Sequence, residues 1–255
     1  MPTTVITGSA SGIGAAVAAT LRAAGHTVIG IDRSNADVIA DLSTPEGRDS
    51  AITQALDLAH GRLDGLVCCA GVGVTAPSCG LIVAINHFGV SQLLAGFEEA
   101  LAKGASPAAL VVGSVAAIRP DAPQQPMTQA MLDNDEACAR ELADSLAEPQ
   151  VAYACSKYAI THHARRLAAP WGRKGIRLNV IAPGAVETPL HDASRNDPRF
   201  GQAVRDFVAP LGRNGHPGEI AELIAFLQSE RAAFIHGGVI YIDGGMDAMV
   251  RPQQV

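Results

Sequence analysis

The chain has 255 residues, of which 48% are hydrophobic and 4% aromatic, and it carries a net charge of −6. This length is sufficient for a sizeable core, and the composition is typical of α/β proteins built from Ala, Val, Ile and Leu. The negative charge argues against nucleic acid as the main partner. No apolar run approaches the roughly 20 residues that cross a bilayer, so we expect no membrane partner.

The cysteines and the N-terminal residues bear on the cellular compartment of the protein. The five cysteines form no Cys-x-x-Cys pair and leave an odd count, which indicates reduced thiols and not a disulfide framework or a zinc site. The first residues lack the basic start and apolar run of a signal peptide. His162 and His163 are adjacent, so on a helix they diverge and do not chelate as an i, i+4 pair would. We therefore expect a cytoplasmic protein without a metal site.

A glycine-rich turn follows the first predicted strand, Thr4–Thr7, and precedes an alanine-rich helix from Ile13 to about Ala24. Such a turn presents backbone N–H groups at the positive end of the helix, where a pyrophosphate can bind. The glycines permit the tight turn and the close approach of phosphates. Glycine turns also join strands to helices where no ligand binds, so this motif alone is ambiguous. The candidate contacts, in a G-x-x-x-G-x-G pattern, are Gly8, Ser11, Gly12, Ile13 and Gly14.

The second predicted strand, 27–31, ends in Asp32. A carboxylate at this position can accept hydrogen bonds from the adenosine ribose hydroxyls, and it would repel a 2′-phosphate. This favours NAD over NADP. The neighbouring Arg33 weakens the inference, because an arginine there could pair with a phosphate.

Strands and helices alternate along the rest of the chain. The further predicted strands are 38–42, 63–71, 109–114, 176–182 and 238–243, and the further helices are 45–60, 86–103, 151–171 and 218–228. Alternation at this interval indicates a parallel, doubly wound sheet that binds its ligand beyond the carboxyl ends of the strands. We expect an α/β fold of the Rossmann type, with seven parallel strands and helices on both faces, in one domain that spans residues 1–255.

Tyr153 and Lys157 are four residues apart on a predicted helix, so they lie one turn apart on the same face. A nearby ammonium group favours phenolate, so we expect the pKa of Tyr153 to fall from about 10 toward neutrality. Such a phenol is suited to alcohol–carbonyl chemistry. The same spacing occurs on many solvated helices, and Ser114, at the carboxyl end of its strand, could be a plain capping serine.

Together these motifs resemble the short-chain dehydrogenase/reductase family over nearly the whole chain, from Thr4 to about Gly245. The matching elements are Thr7-Gly8-x-x-x-Gly12-Ile13-Gly14, Asp32, Asp41-Leu42, Ala70-Gly71, Asn86, Ser114, Tyr153-x-x-x-Lys157, Asn179 and Pro183-Gly184 with Thr188. Their order and intervals agree with a single sheet.

The resemblance implies a role for each matching residue. Tyr153 would be the general acid in reduction and the base in oxidation, and Lys157 would lower its pKa and bind the nicotinamide ribose. Ser114 would hydrogen-bond the substrate oxygen, and Asn86 would hold a water in a proton relay behind the lysine. The implied cofactor contacts are Gly8, Ser11, Gly12, Ile13, Gly14, Asp32, Arg33, Asp41, Leu42, Ala70, Gly71, Tyr153, Lys157, Pro183, Gly184, Val186 and Thr188.

The chain departs from the family pattern in two places. Cys69-Ala70-Gly71 stands where the family usually has Asn-Ala-Gly, and 39 positions separate Ser114 from Tyr153, about three times the usual interval. We therefore predict an insertion over about residues 119–150. It opens Pro-rich, continues as a helical stretch from Thr128 to Leu146, and carries seven acidic residues, which a solvated helix face explains.

Both departures, with Asn86-His87-Phe88-Gly89, resemble a bacterial group within this family, the 3α-hydroxysteroid dehydrogenase/carbonyl reductases. This resemblance implies NAD(H)-dependent interconversion of a 3α-hydroxysteroid and its 3-ketosteroid, with carbonyl reduction of other apolar ketones and aldehydes. It also implies a homodimer, because the insertion would cover the long-helix face through which other members form tetramers. The remaining self-contact would be the last helix and strand, 218–243.

The segment 185–217 is long and irregular, and such segments over a site often act as lids. Its apolar residues favour an apolar substrate, and they are Leu190, Phe200, Phe207, Val208, Pro210 and Leu211. They do not distinguish a steroid from another apolar secondary alcohol or ketone. A non-catalytic nucleotide-sensing regulator is a further alternative, against which the presence of Ser114, Tyr153 and Lys157 counts.

Overall fold

The computed structural model describes residues 1–254 and contains a single seven-stranded sheet. All strands are parallel, in the order β3-β2-β1-β4-β5-β6-β7. The strands are β1 (Thr3–Thr7), β2 (Thr27–Asp32), β3 (Val38–Ile39), β4 (Gly65–Cys68), β5 (Ala108–Val112), β6 (Arg177–Pro183) and β7 (Val239–Ile242). The predicted α/β fold with seven parallel strands is confirmed.

Of the eleven α-helices within residues 1–254, ten lie between strands in the chain and the last follows β7. They are α1 (Gly12–Ala23), α2 (Pro45–Leu58), α3 (Cys79–Val83), α4 (Gly89–Leu101), α5 (Pro126–Leu132), α6 (Glu136–Leu146), α7 (Pro149–Arg173), α8 (Pro189–Asn196), α9 (Gly201–Asp206), α10 (Pro217–Gln228) and α11 (Met246–Val250). Their starts follow from local chemistry: Thr44 caps α2 by accepting from the N–H of Gly47, and Ser78 caps α3 by accepting from the N–H of Leu81.

The order of the strands determines where a ligand crevice opens in the sheet. In register, Val5 of β1 pairs with Ile29 of β2 on one side and with Leu66 of β4 on the other. The chain therefore winds outward in both directions from β1, and a crevice opens between the carboxyl ends of β1 and β4. The buried strand residues are mostly Val, Ile, Leu and Ala, because helices cover both faces of the sheet.

Two apolar cores lie on opposite faces of the sheet. On one face, α2, α4 and α7 contribute buried residues such as Ala51, Leu93 and Ile160. On the other face, α1 and α10 pack together through residues such as Leu21 and Ile224. This arrangement confirms that the sheet is doubly wound.

The segment predicted as an insertion forms two helices where the sequence indicated one. Helix α5 ends at Leu132, because Asn134 adopts a left-handed conformation with φ of 61° and Asp135 then caps α6 by accepting from the N–H of Cys138. With α3 and α7, the two helices enclose a third apolar core, and its buried residues include Met131 and Ala143. Helix α7 begins at Pro149, two residues before the predicted start.

Helices α3 and α4 are joined by a π-helical turn, Ala84–Phe88, into one helix from Cys79 to Leu101. The predicted helix began only at Asn86. By length and composition the joined helix could cross a membrane, since an 18-residue window within it has a mean hydropathy of 1.4. The sequence analysis did not anticipate this, because polar residues interrupt the apolar run. Its apolar window is 78% buried inside the protein, which is the pattern of a core helix.

The remaining differences concern where elements end. The third strand covers only Val38–Ile39 and not 38–42, because Asp41 turns the chain by accepting from the N–H of Ser43. The segment 185–217, expected to be irregular, contains the short helices α8 and α9.

Candidate active site

A cavity of about 430 Å³ opens at the carboxyl edge of the sheet. It is bounded by the glycine-rich turn, by the loops that follow β2, β4, β5 and β6, and by α7 and α8. The predicted site residues on its wall are Gly8, Ser11, Gly12, Ile13, Gly14, Asp32, Arg33, Asp41, Leu42, Ala70, Gly71, Ser114, Tyr153, Lys157, Pro183, Gly184, Val186 and Thr188. The fold thus brings together every predicted site residue except Asn86, which lies behind the wall.

The glycine-rich turn is folded tightly on itself and passes close to the backbone after β4. A side chain on Gly8, whose φ is 68°, would approach the backbone of Ala70 to 2.9 Å, and one on Gly14 would collide with the carbonyl of Gly8. Ser11 is the N-cap of α1, but its side chain makes no hydrogen bond to the first turn. The backbone N–H groups at this helix end therefore have no side-chain cap, and the cradle fits a pyrophosphate.

Asp32 lies at the end of β2 beside that cradle. Its carboxylate accepts from the backbone N–H of Ala10 at 3.0 Å and from that of Arg33 at 2.7 Å. These bonds leave lone pairs for two ribose hydroxyls, since a carboxylate has about four acceptor positions. Arg33 is exposed on the same wall. Asp41 completes this end of the cavity, and a hydrogen bond from the N–H of Ser43 lowers its pKa.

Ser114 and Tyr153 meet at the other end of the cavity. The hydroxyl oxygen of Ser114 accepts from the backbone N–H of Ala116 at 3.1 Å, which fixes its position and leaves its O–H free to donate. Tyr153 is half-buried on α7. Burial raises the pKa of the Tyr153 phenol, and a side-chain hydrogen bond with Ser114 offsets part of that rise.

Lys157 lies one turn further along α7 and is buried, with 5% of its surface exposed. Its Nζ donates to the carbonyl oxygen of Val112 at 2.9 Å and lies 5.9 Å from the centre of the Tyr153 ring. Burial lowers the pKa of Lys157 to about 8. The structure contradicts the expected low pKa of Tyr153, because burial of the phenol dominates and the ammonium group is directed toward Val112.

Asn86 lies within the π-helical turn and is fully buried. Its side-chain oxygen accepts from the N–H of Val72, and its Nδ2 donates to the carbonyl of Val72 and to the hydroxyl oxygen of Ser156. Ser156 in turn donates to the carbonyl of Tyr153 at 2.7 Å. The side chain of Asn86 therefore links the loop after β4 to helix α7.

The structure adds wall residues that the sequence analysis did not select. Val72, Gly73 and Val74 follow the predicted Ala70-Gly71 pair directly, and Gln150 lies one helical turn before Tyr153, so their proximity to a motif was the available signal. Other additions come from the lid and carried no motif. They are Pro189, His191, Ser194 and Val204.

The apolar residues of the lid divide into two groups. Leu190 and Phe200 line the cavity, as the lid interpretation requires. Phe207, Val208 and Leu211 are instead 45%, 48% and 71% exposed and do not line it. Within residues 1–254, no group of three or more potential metal-ligating side chains lies together.

Comparisons with known proteins agree with this geometry. A family model described as enoyl-(acyl carrier protein) reductase matches residues 8–247. The 3-alpha-hydroxysteroid dehydrogenase/carbonyl reductase of Comamonas testosteroni is 48% identical over 252 residues, which cover 98% of each chain. The coniferyl-alcohol dehydrogenase of Pseudomonas sp. (strain HR199 / DSM 7063) is 31% identical and is matched over 95% of each chain.

Among solved structures, the 3-alpha-hydroxysteroid dehydrogenase from Pseudomonas sp. B-0831, complexed with NADH, superposes with a TM-score of 0.98. It is 59% identical, and the match covers 99% of this chain and 100% of that one. Levodione reductase superposes with a TM-score of 0.76 at 27% identity, over 97% of this chain and 98% of that one. The chain is therefore an oxidoreductase that belongs to the short-chain dehydrogenase/reductase family.

Proposed function

We propose that the protein uses NAD(H) to interconvert a 3α-hydroxysteroid and its 3-ketosteroid, and that it reduces other apolar ketones and aldehydes. The observation that carries this proposal is the shared cavity, in which Ser114, Tyr153 and Lys157 lie at one end and Asp32 at the other. Val74 and the lid residues Leu190, Phe200 and Val204 form an apolar wall, which supports an apolar substrate. The names of the two relatives that are 48% and 59% identical support a steroid.

Each catalytic side chain has a position that suits its role in the reaction. The O–H of Ser114 would donate to the substrate oxygen, where negative charge develops as the carbonyl is reduced. Tyr153 would give its phenolic proton to that oxygen in reduction and would take it back in oxidation. Its raised pKa means that the phenol is protonated at neutral pH, which is the form that donates in reduction.

Several residues would hold the cofactor, which supplies the hydride when it is bound. The glycine-rich turn would bind the pyrophosphate and Asp32 the adenosine ribose. Lys157 would reach the nicotinamide ribose by turning from the carbonyl of Val112. A phosphate on the adenosine ribose would meet the carboxylate of Asp32, which supports NAD over NADP.

A second candidate function is oxidation of another apolar secondary alcohol. It is favoured by the cavity, because the apolar lining residues Val74, Phe200 and Val204 would suit any apolar substrate and do not select a steroid. A relative that is 31% identical is named for coniferyl alcohol. A nucleotide-sensing regulator is the remaining alternative, and the intact set of Ser114, Tyr153 and Lys157 counts against it.

The deciding measurement is NADH formation with androsterone, its 3β-epimer and cyclohexanol, each also tested with NADP. Fast turnover of the 3α-epimer with NAD alone supports the proposal, and activity only on cyclohexanol would replace the steroid with a simple alcohol.

Tyr153→Phe should reduce turnover by about 10²-fold or more while NADH affinity changes little, because only the proton donor is removed. Unchanged turnover of this variant would contradict the mechanism.

We also propose a cytoplasmic homodimer formed by one domain that spans residues 1–255. Cytoplasmic location is supported by five free cysteines, of which Cys68, Cys79 and Cys155 are buried. The dimer is supported by α5 and α6, which lie against α3 and α7 and so cover that helical face. Strand β7 is left at the edge of the sheet with its apolar residues half-exposed.

A further inference from the structure

The lid is joined at its base by a pair of backbone hydrogen bonds. The N–H of Glu187 donates to the carbonyl of Gly215 at 2.9 Å, and the N–H of Gly215 donates to the carbonyl of Ala185 at 2.9 Å. Within the lid, Arg205 of α9 donates to the carbonyl of Arg195 in α8 at 2.7 Å. These bonds make the segment between 187 and 215 a compact unit with both ends fixed at one place.

Close to this base, the unit touches the body of the protein at two glycines. A methyl group on Gly12 would lie 3.4 Å from Cγ2 of Thr188, and one on Gly73 would lie 3.0 Å from Cδ2 of Leu190. Gly12 has φ of 53°, a conformation that itself favours glycine. Gly73 has no positive φ, so its backbone conformation does not require glycine. The close approach of Leu190 is the constraint at Gly73.

Other contacts hold Leu190 in this place. The hydroxyl of Ser194, which is 8% exposed, donates to the carbonyl of Leu190 at 3.2 Å and also lies beside Gly73. Thr188 caps α8 by accepting from the N–H of His191 at 3.2 Å, which fixes the start of the helix. Gly73 and Leu190 both line the cavity.

We infer that the lid closes by packing Leu190 against Gly73. These two residues form a positioning pair, and their contact sets how tightly the lid covers the bound nucleotide and the apolar end of the substrate. This inference rests on the proposed NAD(H) site. The absence of a side chain at Gly73 lets α8 approach the loop after β4. A side chain at Gly73 would displace the side chain of Leu190, whose Cδ2 would lie 3.0 Å from its first carbon, and would loosen the contact between the lid and the loop after β4.

The test compares Gly73→Val, Leu190→Ala and the double variant, with Gly218→Val as control, since nothing lies within 4 Å of a side chain placed at Gly218. The first readout is the dissociation constant for NADH, measured by its fluorescence. The second is tryptic cleavage after the exposed lid residues Arg195, Arg199 and Arg205, with and without NADH. Neither readout needs a steroid. An incorrect substrate proposal would therefore leave this test of the Gly73–Leu190 contact unaffected.

We expect Gly73→Val to weaken NADH binding about tenfold, because the added methyl groups overlap Leu190, and to remove the protection of the lid by NADH. Leu190→Ala should weaken binding less, by about threefold, and the double variant should bind as Leu190→Ala does, because the overlap is then relieved. Gly218→Val should match the unaltered protein. A Gly73→Val variant that binds NADH normally would overturn the inference, and so would a double variant in which the two losses add.

Discussion

The burial of Lys157 costs stability, and the role that we propose for it in the reaction would account for that cost. A buried ammonium group with one hydrogen bond is poorly compensated, and its pKa falls from 10.5 to about 8 for that reason. Stability given up at a site residue is a common trade for activity. The unfolded chain, in which the same group is hydrated, holds the proton more tightly than the folded protein does.

This difference predicts how Lys157→Met changes stability with pH. Between about pH 8 and 10.5 the unfolded state binds the proton that the folded state has released, so the stability of the unaltered protein rises with pH across this window. Below pH 8 the full penalty of burying the charge applies. At pH 7 we therefore expect Lys157→Met to be inactive yet more stable by about 1–3 kcal/mol, with a gain that shrinks toward pH 10.5.

Urea unfolding at several pH values measures this gain, and the exposed Lys103 provides the control. Lys103→Met should change the free energy of unfolding by less than about 0.5 kcal/mol at every pH. If Lys157→Met is less stable than the unaltered protein at pH 7, the bond to Val112 outweighs the cost of burial and the argument is wrong.

Residue patterns predicted which side chains surround the cavity, but not their ionisation. The i, i+4 spacing placed Lys157 beside Tyr153, as observed, yet the pKa of the phenol rises because burial acts on it more strongly than the ammonium group does. Burial depends on contacts between distant parts of the chain, and the contact of Leu190 with Gly73, for example, joins residues more than 100 positions apart. No local pattern encodes such a contact.

At the scale of elements, the insertion is fixed to the body through an ion pair whose arginine is buried. Arg48 of α2 is fully buried, and its Nη2 donates to Oε2 of Glu136, the first residue of α6, at 2.7 Å. Its Nε donates to the carbonyl of Thr44 at 3.0 Å, while Nη1 has no partner in the structure. Without Glu136, the guanidinium would be a buried charge with little compensation.

We therefore expect Glu136→Ala to lower the free energy of unfolding by about 3–5 kcal/mol, the usual loss when one partner of a buried pair is removed. Glu141→Ala, an exposed position on the same helix, is the control and should change it by less than about 0.5 kcal/mol. The double variant Arg48→Met/Glu136→Leu should recover most of the loss, since it removes both charges. Urea unfolding of the three variants checks this, and equal effects of Glu136→Ala and Glu141→Ala would contradict it.

The sequence predicted the order of the strands and helices better than it predicted the residues at which they begin and end. Alternation of apolar strands and helices predicted all seven strands because it reflects the two covered faces of the sheet. The break between α5 and α6 escaped prediction because it depends on one left-handed residue, Asn134, followed by a cap at Asp135. The start of the helix at Cys79 was missed because Asn86 and His87 make its middle look polar, although both are buried.

For the whole molecule, the distribution of exposed apolar surface bears on assembly. Strand β7 is an edge strand whose four residues, Val239–Ile242, carry no charge, and Tyr241 is 38% exposed. Phe234, in the loop before it, is fully exposed. Uncharged, apolar sheet edges are normally covered in native proteins. A second copy of the chain is the cover that we propose here, while α5 and α6 occupy the helical face that a tetramer would use.

Removing the insertion is a poor test of this arrangement, because its buried residues Met131 and Ala143 belong to a core shared with α3 and α7. Substitution at the proposed interface is sharper. We expect Phe234→Glu to sediment as a single chain of 26.3 kDa, whereas the unaltered protein sediments at about twice that mass, because a charge would be buried between the two copies. Leu58→Glu, at a 52% exposed position on α2, should remain dimeric. A dimeric Phe234→Glu would show that the contact lies elsewhere, and a tetrameric unaltered protein would show that α5 and α6 do not block the second interface.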